Sequence, residues 1–483
     1  MYTPHDQQLL IEGRFRRSTH DWDKAIEVYR QLFSDFPDQL DFGLGLVSVL
    51  VEAGEYKEAF EELDTLRNLP PPMRDDPRLD FYEPKVADFS NDFKRDESAA
   101  ARAVEKARAR GAKLLLARGL EQQCRAFRDL GQFKQANEAC ENAENIFAVA
   151  GDRNAVAMVL LTWGAVFHYQ GDYDNAMQRN DEALLVFRDV GNIRGVSAAI
   201  NFKASLLSEQ GDLQGALDAY REALSTAREV GSRVNVAIVQ LNTADVLQEK
   251  GDLEAAKSTY AEAGATLHEQ GVKNGHPLIG TAQVLWQEGE LAKAKEILVT
   301  EALPMIHPTG NKSFLGEAYL ALGKVLAAQG NLPQARENYQ QAINLAKTMA
   351  AKTTVALYQL PLAQEMVQQG QATEAITTVK QAQDEFEHGG NVNYQLRPAG
   401  ILAQALLAAG SIGEAKTTVS RARPLLPKIQ SPAARLQYRI AEGEVLTAAG
   451  QPTKTIDMLR PAIAEASKLR LVNLEFRARL AFG

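Results

Sequence analysis

The chain has 483 residues, of which 45% are hydrophobic and 24% charged; it is too apolar for a disordered polymer and long enough for several domains. Aromatics make up only 7%, which favours many thin helical layers over one large aromatic-rich core. With 53 Lys plus Arg against 62 Asp plus Glu, a formal charge of −9 opposes direct nucleic-acid binding through bulk charge.

Two cysteines can build neither a disulfide framework nor the usual four-ligand zinc site, and this usage suits a reducing, cytoplasmic compartment. The opening MYTPHDQQLLIEG lacks a basic n-region and an apolar h-region. The longest apolar stretch, Ala155 to Phe167, is too short to span a bilayer, so no membrane segment is read.

One turn slot recurs along the whole chain. It is His20 in HDWDKA, Gly54 in GEYKEA and Asn91 in NDFKRD, then Gly131, Gly171, Gly211 and Gly251 at steps of forty. Gly289 bridges to Gly330, Gly370, Gly410 and Gly450, with steps of 38 and 41 on its two sides. A second series, Gly111, Gly151, Gly191, Gly231 and Gly271, lies midway and returns at Gly390. Two stops per unit divide the chain into twelve units. Between stops the apolar residues follow helical spacing, as in Leu160, Trp163, Phe167, then Ala176, Ala183, Leu184 and Phe187. Each unit therefore reads as a helical hairpin, helix A followed by helix B.

The first-series glycine suits the left-handed end of helix A, and Asp172, Asp212, Asp252 or Asn331 suits the cap of helix B. Pro333 and Pro452 suit its first turn. Small residues mark where the two helices must approach: Gly164, Ala204, Ala244, Gly323, Ala363 and Ala403 on helix A, and Ala176, Ala216, Ala256, Ala335, Ala375 and Ala415 on helix B. On these residues, and on Trp163-Gly164, Phe167, Gly171-Asp172-Tyr173, Ala176 and Ala183, the sequence resembles the tetratricopeptide repeat (TPR) family. The same pattern returns in Leu322-Gly323, Gly330, Ala335, Tyr339 and Ala342. The resemblance implies an all-α, right-handed superhelical solenoid, in a long-helix variant whose period is forty where the family's is about 34.

Four positions read as weak joints: Asn91 lacks the glycine, Asp96 and Thr455 replace the first helix-B alanine, and Glu301 replaces the second. LPPPMRDDPR is the one Pro-rich connector, giving N-terminal hairpins over 1–69, a loop over 70–78 and a continuous array over 79–483. The last segment, LRLVNLEFRARLAFG, begins a thirteenth unit and is apolar around much of a helix, with Leu471, Val472, Leu474, Phe476, Leu480 and Phe482. It is expected to need a cover, supplied by further chain or by self-association. The stretch from DWDKAIEVYRQLF to LRNLPPPMRDDPRLD resembles the TPR region of large bacterial signalling proteins that carry a winged-helix or Ser/Thr-kinase domain upstream. That resemblance implies a regulatory segment of a longer protein, binding a small effector or self-associating.

No chemistry-bearing constellation is found. There is no GxxxxGK[ST], GxSxG, HRD or HExxH motif, and the seven histidines show no metal-ligand spacing. No enzyme activity, cofactor or metal is expected. Cys124 and Cys140 fall on packing slots of one hairpin and read as core thiols.

The informative surface is the concave face, lined by helix A. Counting back from each glycine places Arg118, Arg125 and Arg128, then His168, then Asn201 and Ser205, then Asp245 and Gln248, then Gln283, Trp286 and Lys324 on it. The arginines sit in ARAVEKARARGAKLLLARGLEQQCRAFR, which has eight basic and two acidic residues. Guanidinium forks match carboxylate and phosphate, so the expected partner is a protein or peptide with an acidic or phosphorylated segment.

Overall fold

The computed structural model describes residues 4–90, 93–349, 351–388 and 392–482. Asn91 and Gly390, two of the predicted stops, lie outside them. Among the described residues the chain is all helical: twelve hairpins run from Pro4–Ser18 paired with Trp22–Asp35 to Pro432–Ala448 paired with Pro452–Lys468, and the helix Val472–Phe482 follows. No helix among them is long and apolar enough to cross a membrane.

The turn chemistry acts as its residue types require. Gly131, Gly171, Gly211 and Gly251 all have positive φ, which glycine adopts without a Cβ penalty. The next residue caps helix B: Asp172 accepts from the backbone N–H of Asn175, Asp212 from Gly215, Asp252 from Ala255 and Asn331 from Gln334. His20 occupies the same slot at φ 59, paying in backbone strain what the glycines avoid.

The small-residue slots are where the hairpins close. Ala204, Ala244, Ala363 and Ala403 on helix A, and Ala176, Ala216, Ala256, Ala335, Ala375 and Ala415 on helix B, are all 0% exposed. A Cβ on Gly323 would stand 2.5 Å from the Tyr339 ring, inside any tolerable contact.

Two predicted weak joints are corrected. The longer step from Gly289 to Gly330 is absorbed by a π-helical turn, Leu298–Ala302, which moves Glu301 to the surface and puts Ala302 in the slot at 0% exposure; a π turn accommodates one extra residue. Thr455 is buried, but its hydroxyl donates to the Gly443 carbonyl at 3.1 Å and accepts from Thr447 at 3.0 Å. Asp96 remains a true misfit, 2% exposed with Oδ1 unpartnered.

The cysteines are also corrected. Cys124 and Cys140, both 0% exposed, are joined as a disulfide with Cα atoms 5.3 Å apart, tying helix Lys113–Asp129 to helix Phe133–Val149.

An array whose units touch only their neighbours is the default for solenoids, and here it fails. Gln214 meets Gln430, Lys273 meets Glu55 at 2.6 Å and Arg470 meets Glu254 at 2.9 Å, across separations of 216 to 218 residues. One superhelical turn thus takes a little over five forty-residue units, and successive turns stack directly. The contact has an apolar layer: Leu436, Ile440, Leu471 and Leu474 share one buried cluster with Leu241, Leu253, Tyr260 and Val284. At the other stacking point the Trp22 indole donates to the Gly271 carbonyl at 3.0 Å.

Gly271 has φ +65 and a Cβ there would strike the Trp22 indole, whereas Gly231, at φ +73, faces open space. Both Gly→Ala variants should therefore lose about 1 kcal/mol through backbone strain, but only Gly271→Ala should part the turns. A larger radius of gyration by small-angle scattering for Gly271→Ala alone is the expected result; equal radii would contradict turn stacking at this point.

Candidate functional site

Helix A residues of consecutive hairpins form a ladder along the inner face. The Arg128 guanidinium lies 5.2 Å from the Tyr169 ring centroid. His168 Nε2 is 2.9 Å from Glu209, which also accepts from Tyr173 at 3.0 Å. Asn242 donates to Asn201 at 3.1 Å, and Ser205 shares a 3.0 Å hydrogen bond with the Tyr220 hydroxyl. Asp245 then meets His276 at 3.0 Å and accepts from Tyr260 at 2.5 Å.

The basic stretch divides into two groups with different roles. Arg102 and Lys106 turn away to two buried carboxylates, Asp80 and Glu83, at 2.5–3.2 Å, which also take Arg67 and Arg95 from either side. These four cations hold the hairpins around the Pro-rich connector and are structural, because buried carboxylates need that pairing. Arg118, Arg125 and Arg128 share one face of helix Lys113–Asp129 with Glu121. Arg128 is a fork on its neighbour Asp129 at 2.7 and 2.9 Å, and that partner outweighs burial to raise its pKa. Arg125 is pushed the other way, below the usual guanidinium range, by burial and by the positive charge of Arg128, with Asp129 opposing. Arg118 is exposed.

Further along, carboxylates and their cationic partners cluster. Asp245, Gln248, Glu249, His276, Gln283 and Glu317 line a cavity of about 320 Å³. Burial works against a charged His276 imidazole, but the charge and hydrogen bond of Asp245 outweigh it, with Glu317 adding, and its pKa is pushed up to about 9. Burial raises Glu317 despite His276. Glu249 is held below its ordinary value because Arg397 and Ser431 overcome its burial; Arg397 crosses from another helix A to reach it at 2.9 and 3.1 Å. Lys324 sits 5.8 Å from the Trp286 ring centroid, and burial together with Arg397 lowers it to about 8 against the pull of Glu249.

Of the eleven sequence-predicted residues, Asp245, Gln248 and Gln283 therefore share one cavity. Trp286 and Lys324 belong to an internal bridge, and Arg118, Arg125 and Arg128 form a separate basic sector. Glu209, Glu249, His276, Glu317, Arg397 and Tyr169 were missed. A signal existed for three of them: the residue two before the hairpin glycine is polar in successive units, as Asp129, Tyr169, Glu209, Glu249 and Gln287. No group of His, Cys, Asp and Glu that could hold a metal ion occurs among the described residues.

Three family models match this array: a MalT-like TPR region over residues 124–305, and tetratricopeptide repeat models over 17–79 and 316–349. The chain belongs to the tetratricopeptide repeat family. Among solved structures, the TPR array is similar to a Rap protein complexed with competence and sporulation factor, at 15% identity over 74% of this chain and 96% of that one, with a TM-score of 0.41. It is also similar to the apo form of RapI, at 14% identity over 55% and 98%, with a TM-score of 0.43. No curated protein matches.

The Asp96 misfit borders the basic sector. Burial first, then the charge of Asp129, pushes its carboxyl up to about 8, with Arg128 opposing. The folded chain thus holds a proton that the unfolded chain releases near the ordinary value, so stability falls as pH rises from about 4 to 8, by at most about 6 kcal/mol. Asp96→Asn should raise the melting temperature at pH 8 by several degrees and leave it unchanged near pH 4. A pH-independent difference would show that Asp96 does not titrate in this way.

Proposed function

We propose that this TPR array is a non-catalytic protein-binding module, and that its basic inner sector takes an acidic or phosphorylated segment of a partner. The observation that supports this reading is the Arg128 guanidinium forked on Asp129, with the half-buried Arg125 on the turn before it and the exposed Arg118 two helical turns from Arg125 on the same face. A bound anion would offset the burial and the Arg128 charge that lower Arg125, and a guanidinium fork gives it bidentate geometry. His168, Asn201 and Ser205 continue the ladder with groups that suit a peptide backbone.

The cavity at Asp245 and Glu317 is charge-compensated: His276 and Arg397 pair with Asp245 and Glu249, and burial shifts Glu317 toward its neutral form. The proposed anionic segment therefore lies along residues 118–128 alone. Arg118→Glu with Arg125→Glu should weaken capture of an immobilised Glu-rich peptide about tenfold or more at low salt, with helicity unchanged. Equal capture by the double variant would remove the basic sector from the binding face.

A second reading, self-association, is favoured by the C-terminal helix, where Phe476 and Leu480 are 62% and 66% exposed. Under it, light scattering would show a mass that rises with concentration and that Phe476→Glu plus Phe482→Glu abolishes. A constant monomer mass would dismiss it.

A further inference from the structure

The stacking of turns encloses a second cavity, of about 740 Å³, between the first hairpins and the hairpins near residue 270. Its volume lies within the range of small-molecule sites, about 300–1,000 Å³. Three aromatic side chains from different elements face it: Trp22 and Tyr56 from the first turn, and Phe314 from the second. Val234, Ile238 and Val272 add aliphatic wall, and Ile238 remains 41% exposed although it lies between stacked hairpins.

The polar lining is unbalanced. Arg14, Arg17 and Lys273 stand against one lining carboxylate, Glu52. Arg17 is tied to Glu52 and Lys273 to Glu55, so the surplus charge lies with Arg14, exposed at the rim, and His20 adds a hydrogen-bonding ring to the lining. His20 is the residue that holds a left-handed backbone where other hairpins use glycine, and its ring packs edge-on to Trp22 at 5.1 Å. This turn residue therefore puts an imidazole in the cavity wall. Burial, with Glu55 adding, pushes the Tyr56 hydroxyl up to about 12, in keeping with a neutral phenol on an apolar wall.

The geometry points to a ligand site between the superhelical turns for an anionic amphipathic small molecule, with a ring-bearing body against Trp22, Tyr56 and Phe314 and its acid group toward Arg14 and His20. Such a molecule touches both turns at once and strengthens their stacking. The site shares no residue with the peptide-binding face and does not depend on that reading.

Anilinonaphthalene sulfonate, an anionic aromatic fluorophore, is a suitable probe of the full chain. It should bind at one saturable site with emission sensitised by tryptophan, and Trp22→Phe should remove most of that sensitised emission. Ile238→Glu, which places bulk and negative charge in the cavity from an already exposed position, should weaken binding about tenfold. Arg14→Glu should weaken the sulfonate by a similar factor and leave its uncharged phenylnaphthylamine analogue unaffected. Unchanged sulfonate affinity in both charge variants, or sensitised emission that survives Trp22→Phe, would overturn the site.

Discussion

Everything in this molecule depends on the close approach of helix A to helix B at slots filled mainly by alanine or glycine. Because the same slots recur at the same offsets from a left-handed glycine, successive hairpins repeat nearly the same rotation. A constant rotation per unit generates a superhelix. Longer helices change its pitch, and here the pitch brings hairpins 216 to 218 residues apart into contact. The array thereby gains an apolar layer between turns that an open solenoid lacks, and with it non-local cohesion.

Closure also governs the electrostatics. Side chains on the inner face keep some contact with solvent but are surrounded by protein, so their charges interact more strongly than on an open surface. Lys324, Arg125 and Glu317 all shift toward their neutral forms by burial. Where a partner is supplied from across the axis, as Arg397 is to Glu249, the charge is retained. The result is a basic sector and a cavity of paired charges on one ladder, joined by the neutral groups of Asn201 and Ser205.

The hairpins, their caps and the helix-approach slots were legible in the sequence because each rests on a local rule: positive φ at glycine, a carboxylate beside free N–H groups, a small side chain at a close approach. Thr455 and Glu301 were misread because the rule was applied at a fixed offset. In the first case a hydroxyl satisfied itself on the Gly443 carbonyl; in the second a π turn shifted the register by one residue. The inner-face ladder was partly legible, since position within helix A identifies Arg128, His168 and Asp245. Their partners were not, because His276 and Arg397 arrive from other hairpins. The turn-to-turn contacts were not legible: they join the start of helix B in one turn to the stop that follows helix B in the other, as Trp22 meets Gly271 and Glu254 meets Arg470, but nothing within a repeat says how many units make a turn.

Zero-length carbodiimide cross-linking followed by peptide mass spectrometry tests the stacked superhelix most directly, since it joins an amine to a carboxylate only when the two are in contact. The account predicts a cross-link between Lys273 and Glu55, whose charged groups lie 2.6 Å apart across 218 residues of sequence. Cross-links confined to single hairpins and their neighbours, such as Lys257 with Glu288, would contradict it.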